Sequence, residues 1–109
     1  MIESLLGNST AEKVLLFVVN YGQGHASGIA RTFGLPKSQV RKQLLRFENG
    51  GILVAQDIGN QRLFTLNPRC LYRKELLALA QRVLDLLPET EINRYYRERR
   101  RPRRTSKRL

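Results

Sequence analysis

The stretch that decides the architecture runs Ser27-Gly28-Ile29-Ala30-Arg31-Thr32-Phe33-Gly34-Leu35-Pro36-Lys37-Ser38-Gln39-Val40-Arg41-Lys42-Gln43-Leu44-Leu45-Arg46-Phe47-Glu48-Asn49-Gly50-Gly51. Ser27 is a residue type that caps a helix by accepting from a free backbone N–H of the first turn. Ile29, Ala30 and Phe33 give that helix an inward face, and Gly34 closes it. Leu35-Pro36 opens the next element, because proline gives up no needed N–H in a first helical turn. Val40, Leu44 and Phe47 recur at i, i+4 and i+7 and fall within about 60° of arc, one buried stripe. Asn49-Gly50-Gly51 ends it. Two short helices over 27–33 and 37–49, joined by Gly34-Leu35-Pro36, predict a helix-turn-helix.

The polar half of the second helix is the chemically informative part. It carries Lys37, Arg41, Lys42 and Arg46 and no acid until Glu48. Ser38, Arg41, Lys42 and Leu45 lie opposite the apolar stripe, with Gln39 and Arg46 at its flank. A major-groove reader needs this set: Arg and Lys pair with guanine acceptors, Gln with adenine, Ser with phosphate or base. The N-terminal residues of such a helix go deepest. Lys37, Ser38, Gln39, Arg41, Lys42 and Arg46 are therefore the candidate DNA contacts.

Downstream, Ile52-Leu53-Val54-Ala55-Gln56-Asp57 and Arg62-Leu63-Phe64-Thr65-Leu66 flank Ile58-Gly59-Asn60-Gln61, which predicts a β-hairpin. Its polar tip adds Asn60, Gln61 and Arg62 to the candidate contacts, with Arg62 suited to a narrow minor groove. Asn67-Pro68 ends the hairpin. A long helix over 71–87 follows, with Leu76, Leu79, Val83 and Leu86 on one stripe wider than one domain needs. That helix either folds back on its own core or pairs with a second copy along the stripe, and pairing would set two recognition helices about 34 Å apart, one DNA turn. Upstream, Ser9-Thr10-Ala11-Glu12 reads as a capping box before a helix over about 10–21.

The chain has 109 residues, 20 Lys and Arg, 9 Asp and Glu, and a formal charge of +11. That charge points to a polyanion. Residues 1–87 hold eleven basic and six acidic side chains, and 88–109 nine and three, so the halves carry +5 and +6. The first is the expected folded domain. The second predicts a disordered Arg-rich tail, where Arg99, Arg100, Arg101, Arg103 and Arg104 are candidate phosphate contacts. RNA or an acidic protein is its other possible partner. A membrane is the least suited, since no amphipathic apolar face accompanies the charge. Tyr95-Tyr96 either stacks on bases or ends the last helix. The Met1–Gly7 segment lacks the features of a signal peptide.

Several sharper readings lose to plainer ones. Gly22-Gln23-Gly24 follows a helix rather than a strand and has the wrong spacing for a dinucleotide loop, so it reads as a turn. One cysteine, Cys70, and one histidine, His25, exclude a multi-cysteine metal site. Cys70 reads as a packing residue and His25 as a turn residue. Glu48 and Asp57 do not form an acid–base pair by pattern, and no residue cluster supports an enzyme or a cofactor.

The frame Ile29-Ala30…Gly34-Leu35…Val40…Leu44…Phe47-Glu48…Gly51-Ile52-Leu53, with the returning strand Arg62-Leu63-Phe64-Thr65-Leu66, resembles prokaryotic ArsR-like winged helix-turn-helix regulators over residues 9–87. The resemblance implies an α+β fold with a two-stranded wing and a C-terminal helix. It implies a cytoplasmic, nucleoid-associated homodimer that binds double-stranded DNA, as a repressor, its terminal helices often forming the interface. Departures are the missing metal ligands, Leu45 at a usually polar position, and the Arg-rich tail. A related branch accompanies nucleotidyltransferase-like partners in toxin–antitoxin pairs. The alternative is thus an antitoxin-like adaptor that holds a partner protein through its basic tail and exposed helix faces.

Overall fold

In the computed structural model, which describes residues 1–97, Asn8 starts the first long helix. Its Oδ1 accepts from Ala11 N at 2.7 Å, so α2 (Ser9–Tyr21) is capped one residue before the expected Ser9. Glu12 does not complete a capping box. Its Oε1 accepts from Ile2 N at 2.6 Å and from the Met1 amine at 2.9 Å. That carboxylate ties the start of the chain, including the four-residue α1 (Glu3–Leu6), onto α2.

The helix-turn-helix forms as read, with its caps moved. In α3 (Ala26–Phe33) the cap is His25 rather than Ser27, its Nδ1 accepting from Gly28 N at 3.2 Å. Gly34 then takes a φ of +66°, the left-handed region where a side chain is strained. Pro36 stands just outside α4 (Lys37–Asn49), with ψ at +133°, instead of occupying its first turn. Strands β1 (Leu53–Ile58) and β2 (Gln61–Leu66) pair antiparallel around Gly59-Asn60, with Ala55 opposite Phe64 and Asp57 opposite Arg62.

Gly24 adds a bridge to the hairpin. Its N–H donates to the Phe64 carbonyl at 3.0 Å, and Phe64 N–H donates back at 2.8 Å. A Cβ at this position would meet Ile29 Cδ1 at 2.9 Å and Phe17 Cδ1 at 3.0 Å, so a side chain here would have to push those two core residues aside. The loop before α3 therefore anchors the wing to the helical body.

Two apolar clusters share α2. Val14, Leu15 and Val18 meet Ile29 and Ala30 of α3, Val40, Leu44 and Phe47 of α4, and Leu53 and Phe64 of the hairpin. On the other side, Leu16 packs with Ala80 and Val83 of α5 (Arg73–Leu86) and with Tyr96. A helix apolar nearly all round, as α2 is, fits burial on both faces.

Pro88 does not end the packed chain. Beyond it, α6 (Glu89–Tyr95) folds back so that Tyr96 is buried in the second cluster. Asn20 Nδ2 donates to the Tyr96 carbonyl at 2.8 Å, and Tyr21 Oη donates to the Tyr95 carbonyl at 2.7 Å. Burial holds the Tyr96 phenol protonated far above its ordinary range. The packed unit thus extends about nine residues past the expected boundary at 87. Among the described residues, six helices and one antiparallel hairpin in this order make a winged helix-turn-helix. No helix among the described residues is long and apolar enough to cross a membrane.

Candidate nucleic-acid interface

The apolar stripe of α4 fixes how its other face points. Val40, Leu44 and Phe47 are buried, and so is Gln43, which leaves Lys37, Ser38, Gln39, Arg41 and Lys42 exposed. Lys37, Arg41 and Leu45 form one i, i+4, i+8 row along the helix. That row faces the wing across a cleft of about 250 Å³, whose other wall is Asn60, Gln61, Arg62 and Phe64. His25, Ala26 and Ser27 close the cleft at the start of α3. Five expected residues, Lys37, Arg41, Asn60, Gln61 and Arg62, are thereby brought together. Ser38, Gln39 and Lys42 stand outside the cleft on the exposed part of α4.

The lining of this cleft combines cations, amides and apolar side chains. Three cations and two amides offer donors for phosphate oxygens or base edges. Leu45 and Phe64 supply the apolar part. Arg62 is held on three sides. Its Nη2 donates to Glu48 Oε2 at 2.9 Å, its Nε lies 3.8 Å from Asp57 Oδ1, and its Cζ sits 5.6 Å from the Phe64 ring centroid. Glu48 and Asp57 do meet, then, but around an arginine rather than as a catalytic pair.

His25 has a larger place than a turn residue. Its ring caps α3 and lines the cleft. Burial first, then Arg31 and Lys37, lowers its pKa from the ordinary value of 6.5. Neutral imidazole is also the form whose Nδ1 accepts from Gly28 N. The sequence offered a faint sign of this: the neighbouring Ala26-Ser27-Gly28 begins a helix, and the residue before it must face the free N–H groups.

Arg46 departs from expectation. Its Nη1 donates to Gln43 Oε1 at 2.5 Å and its Nη2 to the Leu6 carbonyl. This guanidinium is turned toward α1, at the edge of α4 away from the cleft, and joins two helices. Its charge is still solvent-exposed, but its hydrogen bonds are structural.

The expected pairing stripe on α5 is split by the fold. Val83 is 2% exposed within a single chain and belongs to that chain's core, so it has no surface to offer a second copy. Leu76 is half-buried against the first cluster. Leu79 and Leu86 are exposed, and Tyr72 and Leu71 extend the apolar surface at the N-terminal end of the helix. The helix starts at Arg73 rather than 71, which leaves Leu71 98% exposed. Arg99, Arg100, Arg101, Arg103 and Arg104 lie outside the described residues. Cys70 is a free, half-buried thiol. No group of three His, Cys, Asp or Glu that could hold a metal ion occurs among the described residues.

No protein-family model matches the chain, and no curated protein is similar to it. Solved structures share its fold. One is a MarR-family transcriptional regulator from Rhodococcus sp. RHA1, 22% identical, with a TM-score of 0.57 over 84% of this chain and 71% of that one. Another is the adhesin competence repressor AdcR from Streptococcus pyogenes, 12% identical, with a TM-score of 0.55 over 84% of this chain and 78% of that one. The winged helix-turn-helix is thus common to this chain and to these regulators. The ArsR-like assignment is not supported: no family model matches, and the solved structures that share the fold are a MarR-family regulator and AdcR.

Proposed function

We propose that the chain is a sequence-specific DNA-binding transcriptional regulator, with α4 entering the major groove and the wing resting on the minor groove or backbone. The observation that carries this reading is the cleft itself: a recognition-type helix and a hairpin tip, distant in sequence, converge their cations and amides on one side of the molecule. The regulators that share the fold support it. Lys37, Arg41 and Arg62 supply phosphate attraction, and Gln39, Arg41 and Lys42 supply base discrimination. Arg99, Arg100, Arg101, Arg103 and Arg104 add sequence-blind attraction.

The regulator acts as a homodimer and as a repressor in this reading. Leu79 and Leu86 of α5, with Tyr72 just before it, are the exposed residues that would meet a second copy. Sequencing the genomic fragments that the protein retains tests the proposal. The expected result is one enriched motif repeated with two-fold symmetry about one helical turn apart. Fragments without a common motif contradict it. The same exposed apolar residues favour a second reading, an adaptor for a partner protein. Co-purification of a stoichiometric partner through high salt, with no retained DNA, would select that reading.

A further inference from the structure

The wing and the recognition helix are joined by a contact that DNA reading alone does not require. Glu48 lies in the last turn of α4, where a carboxylate meets the negative end of the helix dipole and gains nothing from it. Its compensation is Arg62, fourteen residues on and across the loop into β2, at 2.9 Å. Two carboxylates border that guanidinium, but they differ. Asp57 is 84% exposed and stands 3.8 Å away; Glu48 is 25% exposed and makes the hydrogen bond. The Phe64 ring lies beneath the guanidinium, and Phe64 is fixed in the core and paired with Gly24. Past this point the hairpin has no apolar anchor, since Ile58, Asn60 and Gln61 are exposed. The Glu48–Arg62 pair is therefore the last tie between the helical body and the wing tip.

We propose that Glu48 is a positioning residue for DNA recognition: it holds Arg62, and with it the wing tip, at a fixed distance from the base-reading residues of α4. This inference rests on the reading of the cleft as a DNA surface. Arginine has five N–H donors in a rigid fork, so one bond to Glu48 leaves the others for DNA. Glu48 also offsets part of the Arg62 charge. Free of that carboxylate, Arg62 grips any phosphate within reach, and unselected DNA gains more than the correct site.

The test uses full-length protein, a duplex selected from genomic fragments and an unrelated duplex of equal length, each titrated across a salt series. Glu48→Gln and Glu48→Ala are compared with Arg62→Ala and the double variant Glu48→Ala/Arg62→Ala. Both Glu48 variants are expected to lower the ratio of selected to unrelated affinity about three- to tenfold, within the range for residues in direct contact. They are expected to steepen the salt dependence on the unrelated duplex by up to about one phosphate's worth. In the Arg62→Ala background, Glu48→Ala changes neither quantity. A merely structural Glu48 would lower the melting temperature while leaving the ratio and the cycle untouched. Discrimination by the wild type that is indifferent to Glu48, or a Glu48 effect that persists without Arg62, overturns this inference alone. A wild type that does not discriminate at all overturns the DNA reading and this inference with it.

Discussion

Arg41 and Arg46 sit on one helix, and their surroundings give them different work. Arg41 lines the cleft with Lys37 and the wing tip. Arg46 is spent on Gln43 and the Leu6 carbonyl. Arg41→Ala is expected to weaken binding to a selected duplex by about 1–3 kcal/mol, the range for a base-reading arginine, with little change in melting temperature. Arg46→Ala is expected to do the reverse. It should cost about 1 kcal/mol of stability, seen in denaturant melts, and only a salt-screened fraction of affinity. The sequence could rank both as basic residues on the polar half of α4. It could not separate them, because the partner of Arg46 is a backbone carbonyl forty residues upstream in a helix too short to leave a periodic signature. The pairing of Glu48 was hidden for a similar reason: its partner, Arg62, lies fourteen residues on in the returning strand.

At the scale of elements, α3 and the wing are held by two residues that read locally as turn. Gly24→Ala places a methyl against Ile29 and Phe17, at the residue whose backbone pairs with Phe64. The expected cost is about 1–3 kcal/mol in unfolding measurements, as for overpacking of a tight core. His25 gives α3 a pH-dependent cap. Its pKa is lowered in the folded state, so the unfolded chain takes up the proton first. The stability it contributes is full above about pH 6.5, the unfolded value, and is lost as pH falls through the lower folded value. Melting temperatures measured from pH 7.5 to 5 should show this loss, and His25→Asn, which keeps a capping acceptor, should flatten the His25-dependent part of the curve. The element order of helix, turn, helix, hairpin and helix was legible because apolar spacing, Gly34 and the hairpin turn are local signals. The caps were displaced because Asn8 against Ser9, and His25 against Ser27, lie within two residues of each other and each carries an acceptor that can reach a free N–H. Only the backbone angle at each start decides between them.

At the scale of the molecule, α2 is the shared wall of two cores, and that explains what the sequence left hidden. Leu16 reads as one more apolar residue in a run, yet it belongs to the second cluster, with α5 and Tyr96. The charge change near Pro88 marked a boundary in composition, whereas the packing continues through Tyr96. Truncation before Pro88 is therefore expected to uncover Leu16 and Val83 and lower the melting temperature. Truncation after Arg97 should leave the melt unchanged and only flatten the salt dependence of DNA binding.

The central claim is that Gln39, Arg41 and Lys42 on the exposed face of α4 read bases while the rest of the surface supplies attraction. The direct measurement is a titration of one selected duplex and one unrelated duplex, at fixed salt, with wild type and Arg41→Ala/Lys42→Ala. The account predicts that the double variant keeps most of its affinity for the unrelated duplex and loses its preference for the selected one. Equal preference in the two proteins would contradict it.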